Sequence, residues 1–222
     1  MTADNKRERA RLYLITPPRI ENVGDFVDHF KAAMEGGDIS ALQVRIKPDG
    51  VLDTAMTRKV AQAVQALCQV NHIALIINDS PQLCRALNAD GVHLGMGDME
   101  ISQAREIVGE DAIIGATCKN SRHHAMEAGE AGADYVAFGA FYPTDTKAET
   151  TPADPDVLTW SQMFLTLPCV AIGGITTETA SALVSAGADF LAVSSGVWQH
   201  PDGPAAAVDM FNRAIDQAMA GA

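Results

Sequence analysis

The chain has 222 residues and carries 28 acidic against 16 basic side chains, a formal net charge of −12. That length suits one domain with a sizeable core, since a (β/α)8 barrel takes about 200 to 250 residues. The acidic balance, with no basic run beyond Lys6, Arg7, Arg9 and Arg11, argues against a nucleic-acid partner. No stretch approaches the ~18 consecutive apolar residues of a membrane span, and the polar start lacks an export signal, so no membrane partner is expected. The four cysteines, Cys68, Cys84, Cys118 and Cys169, show neither metal-site nor disulfide spacing. Free buried thiols in a reducing cytoplasm are expected.

Along the chain, short apolar runs alternate with segments of helical period, the pattern of repeated βα units around a parallel sheet. Strands are predicted at residues 12–15, 41–45, 74–77, 91–94, 112–115, 135–138, 169–172 and 190–193. Helices are predicted at residues 26–34, 53–69, 82–87, 102–108, 122–131, 156–165, 179–185 and 205–219. Eight such units give an α/β chain with a single (β/α)8 TIM barrel over residues 1–222, residues 1–10 forming a flexible tail. Asn88-Ala89-Asp90, Gly132-Ala133-Asp134 and Gly187-Ala188-Asp189 each close a helix and open a strand. Their aspartates are expected to accept backbone N–H bonds at the stability face of the barrel. A doubly wound sheet would want a glycine-rich turn after the first strand, and Ile15-Thr16-Pro17-Pro18 is not one.

Function in a barrel sits just past the strand ends, so those positions are taken in order. In Gln43-Val44-Arg45-Ile46-Lys47 the period of two turns Gln43, Arg45 and Lys47 to one side, a polar set suited to an anion. The third strand delivers Asn78 and Asp79 at its tip and the fourth runs through His93 to Asp98. Asp79 and Asp98 therefore come from neighbouring strand ends. Two carboxylates completed by water and phosphate oxygens are what Mg2+ favours; the plainer reading is that each caps the helix that follows. His93, between Val92 and Leu94, reads as a packed, hydrogen-bonded histidine. The long segment after the sixth strand offers Thr144, Thr146 and Lys147 for phosphate contacts. Past the seventh and eighth strands lie Gly173-Gly174 and Ser194-Ser195, followed by a short helix predicted at 196–199, where barrels often hold a phosphate. Two anion sites are thus expected, one with metal after strands 2 to 5 and one after strands 7 and 8.

With these motifs assembled (Gln43-x-Arg45-x-Lys47, Asn78-Asp79, the run from Gly91 to Asp98, Pro143-Thr144-x-Thr146-Lys147 and Ile172-Gly173-Gly174-Ile175), residues 11–198 resemble the thiamine phosphate synthase family. The resemblance implies an Mg2+-dependent transferase that joins hydroxymethylpyrimidine diphosphate to hydroxyethylthiazole phosphate, releasing pyrophosphate before the thiazole nitrogen traps a pyrimidine-methyl cation. It implies that Gln43, Arg45, Lys47, Asn78, Thr117 and Lys147 hold the diphosphate, with Arg45, Thr117 and Lys147 catalytic, and that Asp79 and Asp98 hold Mg2+. Thr144, Thr146, Gly174, Ser194 and Ser195 would hold the thiazole phosphate. The chain departs from the family's pattern at Ile46, Met96, Gly97 and Thr117; Thr117 replaces serine and keeps the hydroxyl, whereas Met96 loses an amide beside the metal loop. A related thiazole tautomerase is the alternative within the same barrel, although Lys119 stands where that enzyme has its histidine. A catalytically inactive phosphate-binding barrel is the alternative outside enzymes. Nothing in the pattern specifies an oligomeric state.

Overall fold

A computed structural model describes residues 7–144 and 152–221. The strands are β1 (Arg11–Ile15), β2 (Ala41–Val44), β3 (Ala74–Asn78), β4 (Gly91–Leu94), β5 (Ile113–Lys119), β6 (Tyr135–Gly139), β7 (Cys169–Ile172) and β8 (Phe190–Val193). They pair in parallel in the order β1-β2-β3-β4-β5-β6-β7-β8, and β8 closes on β1. Between them run α1 (Val23–Glu35), α2 (Thr54–Val70), α3 (Pro81–Leu87), α4 (Ile101–Val108), α5 (Arg122–Glu130), α6 (Asp156–Phe164), α7 (Thr177–Ala186), the short α8 (Ser195–Trp198) and the closing α9 (Gly203–Ala220). This is the expected TIM barrel. Among the described residues no helix is long and apolar enough to cross a membrane.

The alternation of each strand sorts its side chains between two layers. Leu12, Leu14, Leu42, Val44, Leu75, Ile77, Val92, Ile114, Val136, Phe138, Ala171 and Leu191 face outward into the layer beneath the helices. Tyr13, Ile15, Ala41, Ile76, Tyr135, Ala137, Val170 and Ala192 fill the barrel itself. Small residues make room for the two tyrosines there: a Cβ added at Gly115 would collide with the Tyr135 ring.

The three repeated turns work as expected. Asp90 accepts from the Leu75 amide (2.7 Å), Asp134 from Ile114 (2.8 Å) and Asp189 from Cys169 (2.8 Å). Each aspartate thus ties its own strand to a neighbour at the amino-terminal end. Residues 7–10, read as part of a flexible tail, pack instead on that same face. Ala10 is fully buried, Arg7 donates to the carbonyls of Val184 and Ala188, and Arg9 donates to Asp216 (2.6 Å) and Asn212 (2.9 Å). Arginine's long side chain and several donors, which reach the carbonyls at and just past the end of α7 and the polar side chains of α9, explain the difference. The four cysteines are free and buried. Desolvation pushes the Cys68 and Cys118 thiols up to about 12 and those of Cys84 and Cys169 up to about 11, Asp90 adding to the rise at Cys68 and Cys84.

Candidate active site

One cavity at the carboxyl ends of the strands is lined by Gln43, Arg45, Lys47, Asn78, Asp79, Asp98, Thr117, Thr144, Gly174, Ser194 and Ser195, residues spread over most of the chain. Thr146 and Lys147 lie outside the described residues. A second cleft opens on the opposite face beside Arg7, Arg9 and Arg11. There Arg7 and Arg9 are committed to backbone carbonyls and carboxylates, as described above.

On β2, Gln43 is buried and points into the barrel while Val44 and Ile46 are sealed on the helix side, so the alternation carries Arg45 and Lys47 into the mouth. The Arg45 amide donates to Thr16 Oγ1 (2.9 Å), which ties this edge to the end of β1. Burial lowers the guanidinium's pKa, and the nearby Asp79 carboxylate opposes that shift. Lys47 Nζ donates to Asp79 Oδ2 at 2.6 Å in a largely buried ion pair. Asp79 adopts a left-handed backbone (φ 60°), a conformation aspartate tolerates, and this turns the chain at the tip of β3.

Neither aspartate caps the following helix. The cap of α3 is Ser80, whose hydroxyl accepts from Leu83, and Glu100 occupies that position before α4. Asp98 instead accepts the Gly95 N–H (2.7 Å) and comes within hydrogen-bonding reach of Asp79. Partial burial raises the Asp98 carboxyl above its ordinary range; the Gly95 N–H opposes the shift and the neighbouring Asp79 adds to it. The side-chain nitrogen of Asn78 is buried at the cavity wall and has no hydrogen-bond partner among the described residues. A buried unmatched donor is costly, and such a donor on a cavity wall marks the place of a missing acceptor.

Across the mouth, Gly173 (φ 101°) and Gly174 (φ 64°) let the chain turn tightly beneath the segment Tyr142–Pro143. A Cβ on Gly174 would lie 2.8 Å from Tyr142 Cβ and closer still to the Pro143 carbonyl oxygen. The short helix α8 begins at Ser195 and is moored to β1, Trp198 Nε1 donating to the Ile15 carbonyl (2.7 Å) and Ser194 Oγ to that of Thr16 (3.3 Å). In the closed order of strands, β3 and β4 stand opposite β7 and β8, so the acidic pair and the serine pair face each other across the opening.

Sequence reasoning ended β5 at residue 115, yet it runs to Lys119 with a register shift between Thr117 and Lys119. That irregularity, with Lys119 in a left-handed conformation, brings both Thr117 and Lys119 to the cavity. Lys119, Thr16 and His93 are polar lining residues that the sequence did not offer as binding groups. The signal for β5 was weak because Ala116-Thr117-Cys118-Lys119 mixes small and polar residues. His93 is buried and hydrogen-bonded, as expected from its strand.

A family model described as thiamine monophosphate synthase matches residues 12–197. The thiamine-phosphate synthase of Hyphomonas neptunium is 58% identical over 207 residues, 93% of this chain and 94% of that protein. That of Rhodospirillum centenum is 54% identical over 205 residues, covering 92% and 97%. A solved structure of thiamine phosphate pyrophosphorylase from Pyrococcus furiosus superposes with a TM-score of 0.80 at 31% identity, covering 94% of this chain and 96% of its own. A match over most of the length shows that the chain belongs to the thiamine monophosphate synthase family.

Proposed function

We propose that this chain couples hydroxymethylpyrimidine diphosphate to hydroxyethylthiazole phosphate, forming thiamine phosphate and releasing pyrophosphate. The observation that carries the reading is the convergence of Gln43, Arg45, Lys47 and the unmatched Asn78 donor on one side of the mouth, with Gly174, Ser194 and Ser195 facing them. In this reading Gln43 and Asn78 hold the pyrimidine end, Arg45, Lys47 and Lys147 take the charge that grows on the departing diphosphate, and Thr117 donates to one of its oxygens. Cationic groups fixed before the reaction stabilise a leaving anion without reorganising. Thr144, Thr146, the Gly174 backbone and the two serines anchor the thiazole phosphate opposite. The thiazole nitrogen is itself the nucleophile, so no general base is required of the protein.

Asp79 and Asp98 fit Mg2+. Each has one oxygen fixed by a protein donor, and their mutual approach puts two negative charges where a divalent ion would relieve repulsion. Among the described residues no group of three or more His, Cys, Asp or Glu could hold an ion, so water and diphosphate oxygens would complete the set. Bound there, the ion would neutralise charge on the diphosphate. The test is pyrophosphate release with both substrates, with and without Mg2+. Coupled product that needs both substrates and disappears after EDTA treatment is expected. A full rate in metal-free protein would remove the metal assignment, and absence of product under any condition would remove the coupling reaction.

A further inference from the structure

A continuous hydrogen-bonded chain descends from the mouth into the barrel, and the coupling chemistry above uses only its upper end, Thr117. Thr117 Oγ1 lies 2.9 Å from His93 Nε2, His93 Nδ1 lies 2.9 Å from the Tyr135 hydroxyl, and the hydroxyls of Tyr135 and Tyr13 are 2.9 Å apart. Thr117 opens on the cavity at the upper end. Tyr13, at the lower end, is buried among Ile15, Ala41, Ile76, Ala137, Val170 and Ala192.

Protons in such a chain can all point up or all point down, because each hydroxyl owns one proton and a singly protonated imidazole donates through one nitrogen and accepts through the other. Pointing up, Tyr13 donates to Tyr135, Tyr135 to His93 Nδ1, and His93 Nε2–H to Thr117. Every buried donor then has an acceptor, and what is left idle in the barrel is oxygen lone pairs alone, on Tyr13 and Tyr135. Pointing down, Thr117 donates to His93, His93 to Tyr135 and Tyr135 to Tyr13, whose own O–H is left aimed at apolar side chains. Among the described residues Tyr135 is the hydrogen-bond partner of Tyr13. Orphaned buried donors are rare and costly, whereas an oxygen with a spare lone pair is common. The apolar floor of the barrel therefore selects the upward direction.

We infer that Tyr13 and Tyr135 hold His93 in its Nε2–H tautomer, and that His93 is a positioning residue which engages Thr117 as an acceptor and so leaves the Thr117 proton free for an anionic oxygen in the mouth. With the direction reversed, Thr117 would spend its proton on His93 and turn lone pairs toward the anion. The inference rests on the reading of the mouth as a diphosphate site, so its test includes a readout independent of turnover.

Nitrogen NMR of the full chain labelled with 15N-histidine, with the His93 signals assigned by their loss in His93→Gln, should show a protonated Nε2 and a bare Nδ1. A proton on Nδ1, alone or together with Nε2, overturns the inference whatever the activity. In turnover assays His93→Leu should lower kcat/KM for the pyrimidine diphosphate by up to about 10- to 100-fold, the worth of the Thr117 hydrogen bond to a charged oxygen once the N–H that orients Thr117 is gone, with the thiazole-phosphate KM unmoved. His93→Gln, whose amide N–H reaches toward the old Nε2 position, should recover much of that loss. In a Thr117→Val background His93→Leu should change nothing further, because it acts through the missing hydroxyl. Equal losses in both backgrounds, or Leu and Gln behaving alike, overturn the positioning role. A wild-type chain that makes no coupled product would sink the diphosphate reading alone, and the nitrogen spectrum would still decide the direction of the protons.

Discussion

Gly174→Ala tests how the phosphate end of the mouth is built. The native φ of 64° lies in the left-handed region, which costs an L-residue about 1 to 2 kcal/mol. The new methyl would also overlap the Pro143 carbonyl oxygen and sit 2.8 Å from Tyr142 Cβ, and overpacking of this kind costs about 1 to 3 kcal/mol. The two together amount to about 2 to 5 kcal/mol of unfolding free energy. Relief requires Tyr142–Pro143 to move away, carrying with it the adjoining Thr144 that lines the cavity. Gly132→Ala is the internal control. Gly132 has a φ of 94° and nothing within 4 Å of an added Cβ, so it should show the backbone cost alone, about 1 to 2 kcal/mol. Urea unfolding of both variants isolates the contact contribution as their difference, and initial rates at varied substrate should show the Gly174 variant with a raised KM for thiazole phosphate and an unchanged KM for the diphosphate. If the two variants are equally stable, or if Gly174→Ala keeps a normal thiazole KM, the tight turn does not shape the phosphate site and the reasoning fails.

The two ends of the mouth should also separate by titration calorimetry. Ser195→Ala is expected to weaken thiazole phosphate by about 1.5 to 3 kcal/mol and spare the diphosphate, while Asp98→Asn does the reverse and flattens the Mg2+ response; equal weakening of both ligands by either change contradicts two opposed sites. Lys147→Ala should raise the barrier by about 2 to 4 kcal/mol, read as a lower kcat with thiazole binding unaltered, and a normal kcat would reassign this lysine. The thiols should resist Ellman's reagent at neutral pH until the protein unfolds, when four titrate. Because the Cys68 and Cys118 thiols ionise near 12 when folded and near 9 when unfolded, the folded state holds their protons more tightly. Their contribution is fully present below pH 9 and is lost as pH rises from there toward 12, by about 1.4 kcal/mol per unit for each thiol. Denaturant midpoints that stay level from pH 9 to 11 would contradict buried, protonated cysteines.

How much of this could be read in the sequence differs from one residue to the next. Asp90, Asp134 and Asp189 were legible as turn aspartates because the same short segment recurs with the same local chemistry. Gln43, Arg45 and Lys47 were legible because strand alternation is a property of the backbone and needs no partner. The docking of Arg7 and Arg9 was not legible: their partners Val184, Ala188, Asn212 and Asp216 lie some two hundred residues away in the chain and come alongside only when β8 closes on β1. For Thr117 and Lys119 the local pattern was too weak to extend β5, and the register shift that presents them depends on pairing with β6.

The order of βα units, the polar residues at strand tips and the grouping of candidate ligands follow from local periodicity and composition, which a chain carries in any conformation. Whether Asp79 and Asp98 cap helices or face each other was open until the fold placed Ser80 and Glu100 at the caps and set the strand tips side by side. The direction of the Tyr13–Tyr135–His93–Thr117 chain likewise has no local cause. It depends on an apolar floor assembled from β1, β2, β3, β6, β7 and β8, and only closure of the barrel brings those side chains around one hydroxyl.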